Sequence, residues 1–158
     1  MIMTFEKQQT IKPVATNDIE RFSQIMEETE LFELSKLLGQ DVYNDIDNNQ
    51  ALYSDLINGC SFGVNGKTVN HKGIVYVLAY LNYANYVEES QVFDTYTGLV
   101  RKKREDSESV GNGTVKNLRD KNKEIAMYHY SFVKEYMKEI GMFKTETRKV
   151  KFLTIKNI

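Results

Sequence analysis

The sequence predicts a mainly α-helical protein, a helical bundle with a long central helix and a long C-terminal helix. Pro13 is the only proline in 158 residues, which favours long uninterrupted helices over a turn-rich β architecture. Apolar residues recur at helical spacing in several stretches. Hydrophobic residues make up 41% and charged residues 27% of the chain, a mixture typical of globular domains. A chain of this length buries about two thirds of its unfolded surface, enough for one core.

The N-terminal third is predicted to combine an extended segment with three helices. Residues 1–14 indicate an extended N-terminal arm that ends at Pro13. Helices follow over residues 15–28, 31–46 and 51–59, as the 3.6-residue period of apolar positions indicates. Gly39 lies inside the second helix or ends its first half. The apolar side of that helix comprises Leu31, Leu34, Leu37, Leu38, Val42 and Ile46.

The middle of the chain predicts a small hairpin followed by the central helix. Asn65-Gly66 is a strong tight-turn signal flanked by Val64 and Val69, so the hairpin covers about residues 62–71. The helix over 73–90 is apolar nearly all round, as is typical of helices in the middle of a fold. Its longest apolar run has about 15 residues and contains Asn82 and Asn85, too short and too polar to span a bilayer. No membrane contact is expected.

A long polar segment separates the central helix from the C-terminal helix. Residues 91–113, called the inter-helix arm below, contain the stretch TYTGLVRKKREDSESVGNG. The helix that follows is predicted over 114–140, with Gly141 as its C-terminal stop, so the helical domain spans 15–141. Residues 142–158 form a basic C-terminal tail whose alternation and β-branched residues indicate a strand. The apolar stripe of the last helix is predicted to be Leu118, Ile125, Phe132, Tyr136 and Ile140, widened by Val115, Tyr128 and Val133.

The formal net charge of −1 conceals an uneven distribution. Residues 1–60 hold eleven acidic side chains against four basic ones, and residues 61–158 hold eleven against seventeen. Such a division allows the acidic half of one copy to face the basic half of another, or a basic face to contact nucleic acid. Neutralisation within one fold is the alternative, and the sequence leaves both open.

Side chains with catalytic or metal-binding chemistry are few and far apart in the sequence. Cys60 has no evident base to activate it and is interpreted as structural. His129 falls on the predicted core stripe, and His71, beside the hairpin, is expected to be solvated. The acid pairs Glu27–Glu28 and Glu88–Glu89 are adjacent in sequence and are expected to be solvated surface. The sequence therefore predicts no catalytic residue, no metal ligand, no cofactor and no enzymatic activity.

Basic residues in the inter-helix arm and the tail are the remaining candidates for a functional contact. The run Arg101–Arg104 resembles a phosphate-binding or localisation patch, although Glu105 and Asp106 follow it at once. A solvated loop is the alternative interpretation of the same run. The candidate contact residues are Tyr96, Thr97, Gly98, Leu99, Val100, Arg101, Lys102, Lys103, Arg104, Arg148, Lys149, Lys151 and Phe152.

Three segments together resemble a known class of phage proteins. They are NGKTVNHKGIVYVLAYLNYANYV (65–87), DTYTGLVRKKREDSES (94–109) and NLRDKNKEIAMYHYSFVKEYM (117–137). In order and pattern they resemble the head-to-tail connector (adaptor or head-completion) proteins of tailed bacteriophages, most closely those of phages that infect Bacteroidetes, including crAss-like phages. The resemblance covers about residues 15–140.

This resemblance implies a structural virion subunit that lets DNA pass. Its partners would be further copies of itself in a ring, commonly of twelve, together with the portal protein and other tail or connector proteins. Non-specific contact with DNA in the lumen is also implied. The location would be the head–tail junction of the virion, and the host cytoplasm during assembly. The inter-helix arm and the tail would then contact neighbouring chains, since a long polar loop is uncommon in a compact monomer without such a role.

A second hypothesis is a small helical nucleic-acid-binding or regulatory protein that uses Arg101–Arg104 and the basic residues of 149–156. It predicts salt-dependent affinity for DNA by the free chain. Against it, no predicted helix carries a basic face with Arg, Asn or Gln at groove spacing.

Overall fold

The chain folds as a bundle of helices around two long helices, α6 (Ile74–Glu89) and α7 (Asn112–Glu139). The computed structural model describes residues 1–16, 18–90, 92–95, 98–101 and 112–142. The predicted fold class is confirmed, since the described residues are mainly helical and carry two small hairpins. The C-terminal tail lies outside the described residues except for Met142, so its predicted strand stays a prediction.

Short helices and two antiparallel hairpins complete the fold. The short helices are α1 (Phe5–Ile11), α2 (Ile19–Glu28), α3 (Ser35–Leu38), α4 (Gln40–Asn48) and α5 (Ser54–Asn58), and a π-helical segment, Thr29–Leu34, joins α2 to α3. The first hairpin pairs β1 (Cys60–Val64) with β2 (Lys67–His71), and the second pairs β3 (Val92–Thr95) with β4 (Gly98–Arg101). The predicted hairpin at 62–71 is thus confirmed, with Asn65 and Gly66 as its tight turn.

The expectation of an extended N-terminal arm is wrong, because this segment is part of the core. Ile2 and Met3 are fully buried and α1 follows directly. The buried carboxylate of Glu30 accepts hydrogen bonds from the backbone N–H groups of Ile2 (2.7 Å) and Met3 (3.2 Å). It also accepts one from the Tyr43 hydroxyl (3.3 Å). A buried carboxylate needs such partners, and local sequence pattern does not reveal them.

The π-helical segment changes which residues face the core after α2. Met26, Glu30, Leu34 and Leu38 are all buried at intervals of four residues, which suits the wider turn of a π-helix. Leu31, predicted on the apolar side, is instead exposed. Helix α2 therefore continues through the π-helical segment and α3, and the chain turns at Gly39, which has a positive φ of 86°.

Two glycines bring the chain together where the first hairpin joins the helices. Gly59 and Gly73 both have positive φ values. A Cβ on Gly73 would lie 2.3 Å from the backbone oxygen of Ile57, and one on Gly59 would lie 2.6 Å from that of His71. Only glycine allows this approach, so the end of α5 crosses the start of α6 at van der Waals distance.

Helix α6 occupies the middle of the bundle, as its composition predicts. Helices α1, α2, α5 and α7 and the π-helical segment pack around it. Its buried residues are Ile74, Val75, Val77, Leu78, Ala79, Leu81, Asn82, Ala84 and Val87. Burial of each large apolar side chain stabilises the fold by about 1.5–3 kcal/mol.

Helix α7 packs against α6 with a different face from the predicted one. The buried residues of α7 are Asn122, Ala126, Tyr130, Val133 and Met137. Leu118, Tyr128 and Ile140 of the predicted stripe are exposed, and only Val133 of that set is buried. Apolar residues on the other faces of α7, such as Leu118, Met127 and Tyr128, therefore stay at the surface.

Candidate interaction surfaces

The inter-helix arm leaves and re-enters the bundle at the same end. Contacts between α6 and α7 run in antiparallel order, with Arg119 Nη1 2.6 Å from Glu88 Oε1 at the arm end. The rings of Tyr76 and His129 lie 4.6 Å apart further along the pair. Two adjacent antiparallel helices need only about 2–8 connecting residues. Residues 90–111 connect them here, so most of the inter-helix arm is not required to join the helices.

The described part of the inter-helix arm is the hairpin of β3 and β4 together with residues 112–113, which already belong to α7. Its register pairs Val92 with Arg101 and Thr95 with Gly98. Within the described part of the chain, these two strands pair only with each other. Each strand therefore has an outer edge of backbone N–H and C=O groups free of strand partners there, an arrangement that can accept a strand from another chain.

The structure places four of the candidate contact residues, Gly98, Leu99, Val100 and Arg101, on β4 opposite Val92–Thr95. The others lie outside the described residues, and their contacts stay predictions. They are Tyr96, Thr97, Lys102, Lys103 and Arg104 in the inter-helix arm, and Arg148, Lys149, Lys151 and Phe152 in the tail.

An open groove of about 310 Å³ lies beside the base of the inter-helix arm. We call it the acidic groove; it is lined by Ile25, Glu28, Thr29, Phe32, Glu33, Asn85, Glu88, Glu89 and Lys123. The Asn85 amide donates hydrogen bonds to Thr29 Oγ1 and to Glu33 Oε1, each at 2.9 Å. Lys123 Nζ also contacts Glu33 Oε1, at 3.3 Å. The π-helical segment is thereby joined to α6 and α7.

Negative charge predominates in the acidic groove. Four carboxylates line it, while Lys123 within it and Arg119 beside it each contact one of them. Burial, and then repulsion from Glu28, raise the pKa of Glu89 above its usual value, and Arg21 opposes this shift. The expectation of solvated surface is confirmed for Glu27, Glu28 and Glu88, which are exposed, while Glu89 is half-buried. The sequence did not reveal that α2 and α6 bring Glu28 and Glu89 to one groove.

A series of contacting rings crosses the surface on another side of the α6–α7 pair. We call it the aromatic ridge: Tyr76, Tyr80, Tyr128, His129 and Phe132. Ring centroids lie 5.2 Å apart for Tyr76–Tyr80, 5.3 Å for Tyr128–His129 and 5.1 Å for Tyr128–Phe132. The Tyr128 side chain is 61% exposed. Helix α7 contributes Tyr128, His129 and Phe132, and its packing on α6 adds Tyr76 and Tyr80.

Two lysines lie close to the aromatic ridge. Lys12 Nζ lies 5.4 Å from the ring centroid of Tyr80 and 4.4 Å from that of Tyr83, a cation–π geometry. Burial lowers the pKa of His129, and the positive charge of Lys72 lowers it further. The ridge is therefore an aromatic surface with positive charge beside it.

The first hairpin brings a base next to the single cysteine, contrary to the sequence-based expectation. Cys60 pairs with His71 across the strands, and Sγ lies 3.2 Å from Nε2. His71 is buried rather than solvated, and its ring stacks on Tyr136 with centroids 4.5 Å apart. Such cross-strand neighbours become visible only once the hairpin register is known.

The hydrogen bonds of His71 do not favour activation of Cys60. The Gly73 N–H donates to His71 Nδ1 (3.2 Å), so the neutral ring carries its proton on Nε2 and donates it towards Sγ. Burial lowers the pKa of His71. A thiolate at Cys60 would be stabilised by a protonated His71. Protonation would place an N–H on Nδ1, where it would face the Gly73 N–H, and two donors cannot share a hydrogen bond. We interpret the pair as a structural contact.

Neither a metal site nor a membrane span is found in the part of the chain that the structure describes. No group of three or more His, Cys, Asp or Glu residues is arranged there to hold a metal ion. No helix among those residues is long and apolar enough to cross a membrane.

Comparison with known proteins gives one match. A family model described as "Family of unknown function (DUF6712)" matches residues 34–144. The chain belongs to DUF6712. Neither the curated proteins nor the solved structures include a significant match.

The DUF6712 region contains both long helices and the whole inter-helix arm. It begins at Leu34, the last residue of the π-helical segment. Residues that precede this region, Glu28 and Phe32 among them, also line the acidic groove. The groove is thus built from inside and outside the matched region, whereas the aromatic ridge lies wholly within it.

Proposed function

We propose that this DUF6712 protein is a structural, non-enzymatic subunit of a ring at the head–tail junction of a tailed bacteriophage. The ring joins the portal to the tail and lets DNA pass through its centre. The proposal begins from the resemblance of residues 65–87, 94–109 and 117–137 to connector proteins. The observation that carries it is the position of the inter-helix arm at one end of an antiparallel helix pair that a short turn could join.

Thermodynamics supports a contact role for this segment. Ordering a residue costs about 1–2 kcal/mol in backbone entropy. Within the described residues the β3–β4 hairpin makes its strand hydrogen bonds only internally, and an isolated two-stranded hairpin is marginal in water. Contact with a neighbouring chain offsets such a cost and completes the strand edges.

The test is association with the portal protein of the genome that encodes this chain. The two proteins are co-expressed, and purified portal rings are imaged by electron microscopy. We expect one additional ring of density with the symmetry of a closed assembly. Portal rings that stay bare, together with salt-dependent retention of the chain on duplex DNA, would contradict the proposal and support the nucleic-acid-binding hypothesis.

A matched pair of variants tests the role of the basic run in the arm. In one variant, Arg101, Lys102, Lys103 and Arg104 become alanine. In the control, four exposed lysines elsewhere become alanine, so that the net charge changes equally: Lys7, Lys36, Lys67 and Lys138. We expect both variants to fold and only the first to lose the additional ring. Equal loss in both would show that net charge, rather than the arm, controls association.

A further inference from the structure

The aromatic ridge and the acidic groove lie on opposite sides of α6. Glu89 in the groove follows Tyr80 in the ridge by nine positions, about two and a half helical turns, so the two side chains point in opposite directions. Helix α7 contributes to both surfaces, with His129 in the ridge and Lys123 in the groove. One copy therefore presents the ridge on one side and the groove on the other.

Each surface exposes a large apolar side chain surrounded by polar groups. Tyr128 in the ridge is 61% exposed and Phe32 at the groove is 73% exposed. Aromatic side chains are enriched at the centres of protein interfaces, and charged residues occupy the rims. Both surfaces have this composition.

The charges of the two surfaces are opposite in sign. Lys12 and Lys72 lie beside the ridge. The groove is lined by four carboxylates, which outnumber Lys123 within it and Arg119 and Arg21 beside it. Two ridges that face each other would place like charges together, and so would two grooves. A ridge that faces a groove pairs opposite charges, which steers association and fixes register.

We propose that the aromatic ridge of one copy packs against the acidic groove of a second copy of this chain. The contact is heterologous, so each copy uses both surfaces and the assembly grows head to tail until it closes into a ring or extends as a filament. The closed ring rests on the proposed function. The contact itself does not, because it concerns the free chain.

Site-directed cross-linking tests the geometry. In a Cys60→Ser background, Phe32→Cys and Tyr128→Cys are made in separate chains, mixed at high concentration and joined by a short bismaleimide. We expect a mixed dimer as the main product. A single chain that carries both substitutions should give a ladder of trimers, tetramers and larger species, because each copy then offers both sides of the contact.

The control for random collision is Leu52→Cys in the same background, since Leu52 is 81% exposed and belongs to neither surface. We expect its mixture with Phe32→Cys to cross-link about tenfold less, the ratio that separates a specific contact from random encounter by about 1.4 kcal/mol. Equal yields would overturn the proposal. Dimers formed chiefly by Tyr128→Cys with itself would also overturn it, because they would indicate a two-fold symmetric contact.

A charge exchange gives an independent measurement that needs no added cysteine. One chain carries Lys12→Glu and Lys72→Glu, and the other carries Glu28→Lys and Glu89→Lys. In each chain alone, like charges then face each other at every contact. We expect its self-association, measured by sedimentation velocity, to be at least about tenfold weaker than that of the unmodified chain. The equimolar mixture restores opposite charges at both contacts of an alternating assembly and should recover association. A mixture no better than its components would reject the proposed pairing.

These outcomes separate the contact from the larger proposal. Successful cross-linking and charge rescue with bare portal rings would leave the contact standing and reject the connector role. Additional density on the portal without Phe32–Tyr128 cross-links would keep the connector role and reject this contact.

Discussion

Helices α6 and α7 are the two longest helices and lie side by side, yet they use their apolar residues differently. Helix α6 is surrounded by other elements, and nearly all of its apolar positions are buried. Helix α7 buries one narrow face and leaves Leu118, Met127 and Tyr128 at the surface. Apolar residues in a long amphipathic helix therefore need not mark the core of its own chain.

The largest expected effect is a difference in stability between matched leucines in the two helices. Leu78→Ala in α6 removes a fully buried side chain and is expected to lower the free energy of unfolding by about 2–5 kcal/mol. Leu118→Ala in α7 removes a side chain that is 38% exposed, and a change within about 0.5 kcal/mol is expected. Urea unfolding measures both. Equal losses would contradict the proposed difference between the helices.

The next largest effect is expected where the N-terminal segment of the chain is held in the core. Glu30→Ala removes the acceptor of two backbone N–H groups and of the Tyr43 hydroxyl. Buried donors without partners cost about 1–3 kcal/mol each, so we expect a loss of about 3 kcal/mol in urea unfolding. Glu30→Gln keeps one acceptor oxygen, so its free energy of unfolding should fall by less. A stable Glu30→Ala variant would show that the N-terminal segment is not held in this way.

A smaller effect is expected from the two histidines in contact with the α6–α7 pair. Burial lowers the pKa of His71 and of His129 below the usual value. The unfolded chain therefore binds these protons more tightly, so the free energy of unfolding falls as the pH drops below about 6.5. His71→Asn, which can still accept from the Gly73 N–H, should flatten this dependence, and adding His129→Asn should flatten it further. An unchanged slope in the double variant would exclude both histidines as its origin.

The smallest effect on stability is expected from shortening the inter-helix arm. Replacing residues 92–110 by about five Gly and Ser residues leaves a linker that spans roughly 17 Å, more than the separation of about 8–10 Å between packed helices. Glu88 and Arg119 stay in place. We expect unchanged helical circular dichroism and a change in unfolding free energy within about 0.5 kcal/mol. Loss of the helical signal would make the arm part of the core.

Local patterns in the sequence predict much of the fold. The Asn65-Gly66 turn, the stop at Gly59 and the position of α6 in the middle of the bundle all follow from residues close in sequence. Each depends on turn chemistry or composition within one element, so no knowledge of packing is needed. The same reasoning fails for the burial of the N-terminal segment, because Ile2 and Met3 are held by Glu30.

The candidate surfaces are less predictable because they combine residues that are distant in sequence. The acidic groove joins Glu28 to Glu89, and the aromatic ridge joins Tyr76 to His129. The periodicity of α7 indicates a stripe that includes Leu118 and Phe132, and the structure shows that the helix packs with Ala126 and Met137 instead. The elements packed against α7 decide which face is buried, and the hydrophobicity pattern within one helix does not include these neighbours.

Native mass spectrometry of the full chain and the arm-shortened chain, each mixed with the cognate portal ring, measures whether the arm is needed for ring association. We expect the full chain to add to the portal as one defined multi-copy ring, and the arm-shortened chain to stay folded but unbound. Equal addition of both chains, or of neither, would contradict the claim that the inter-helix arm serves contacts with other chains rather than the fold of its own.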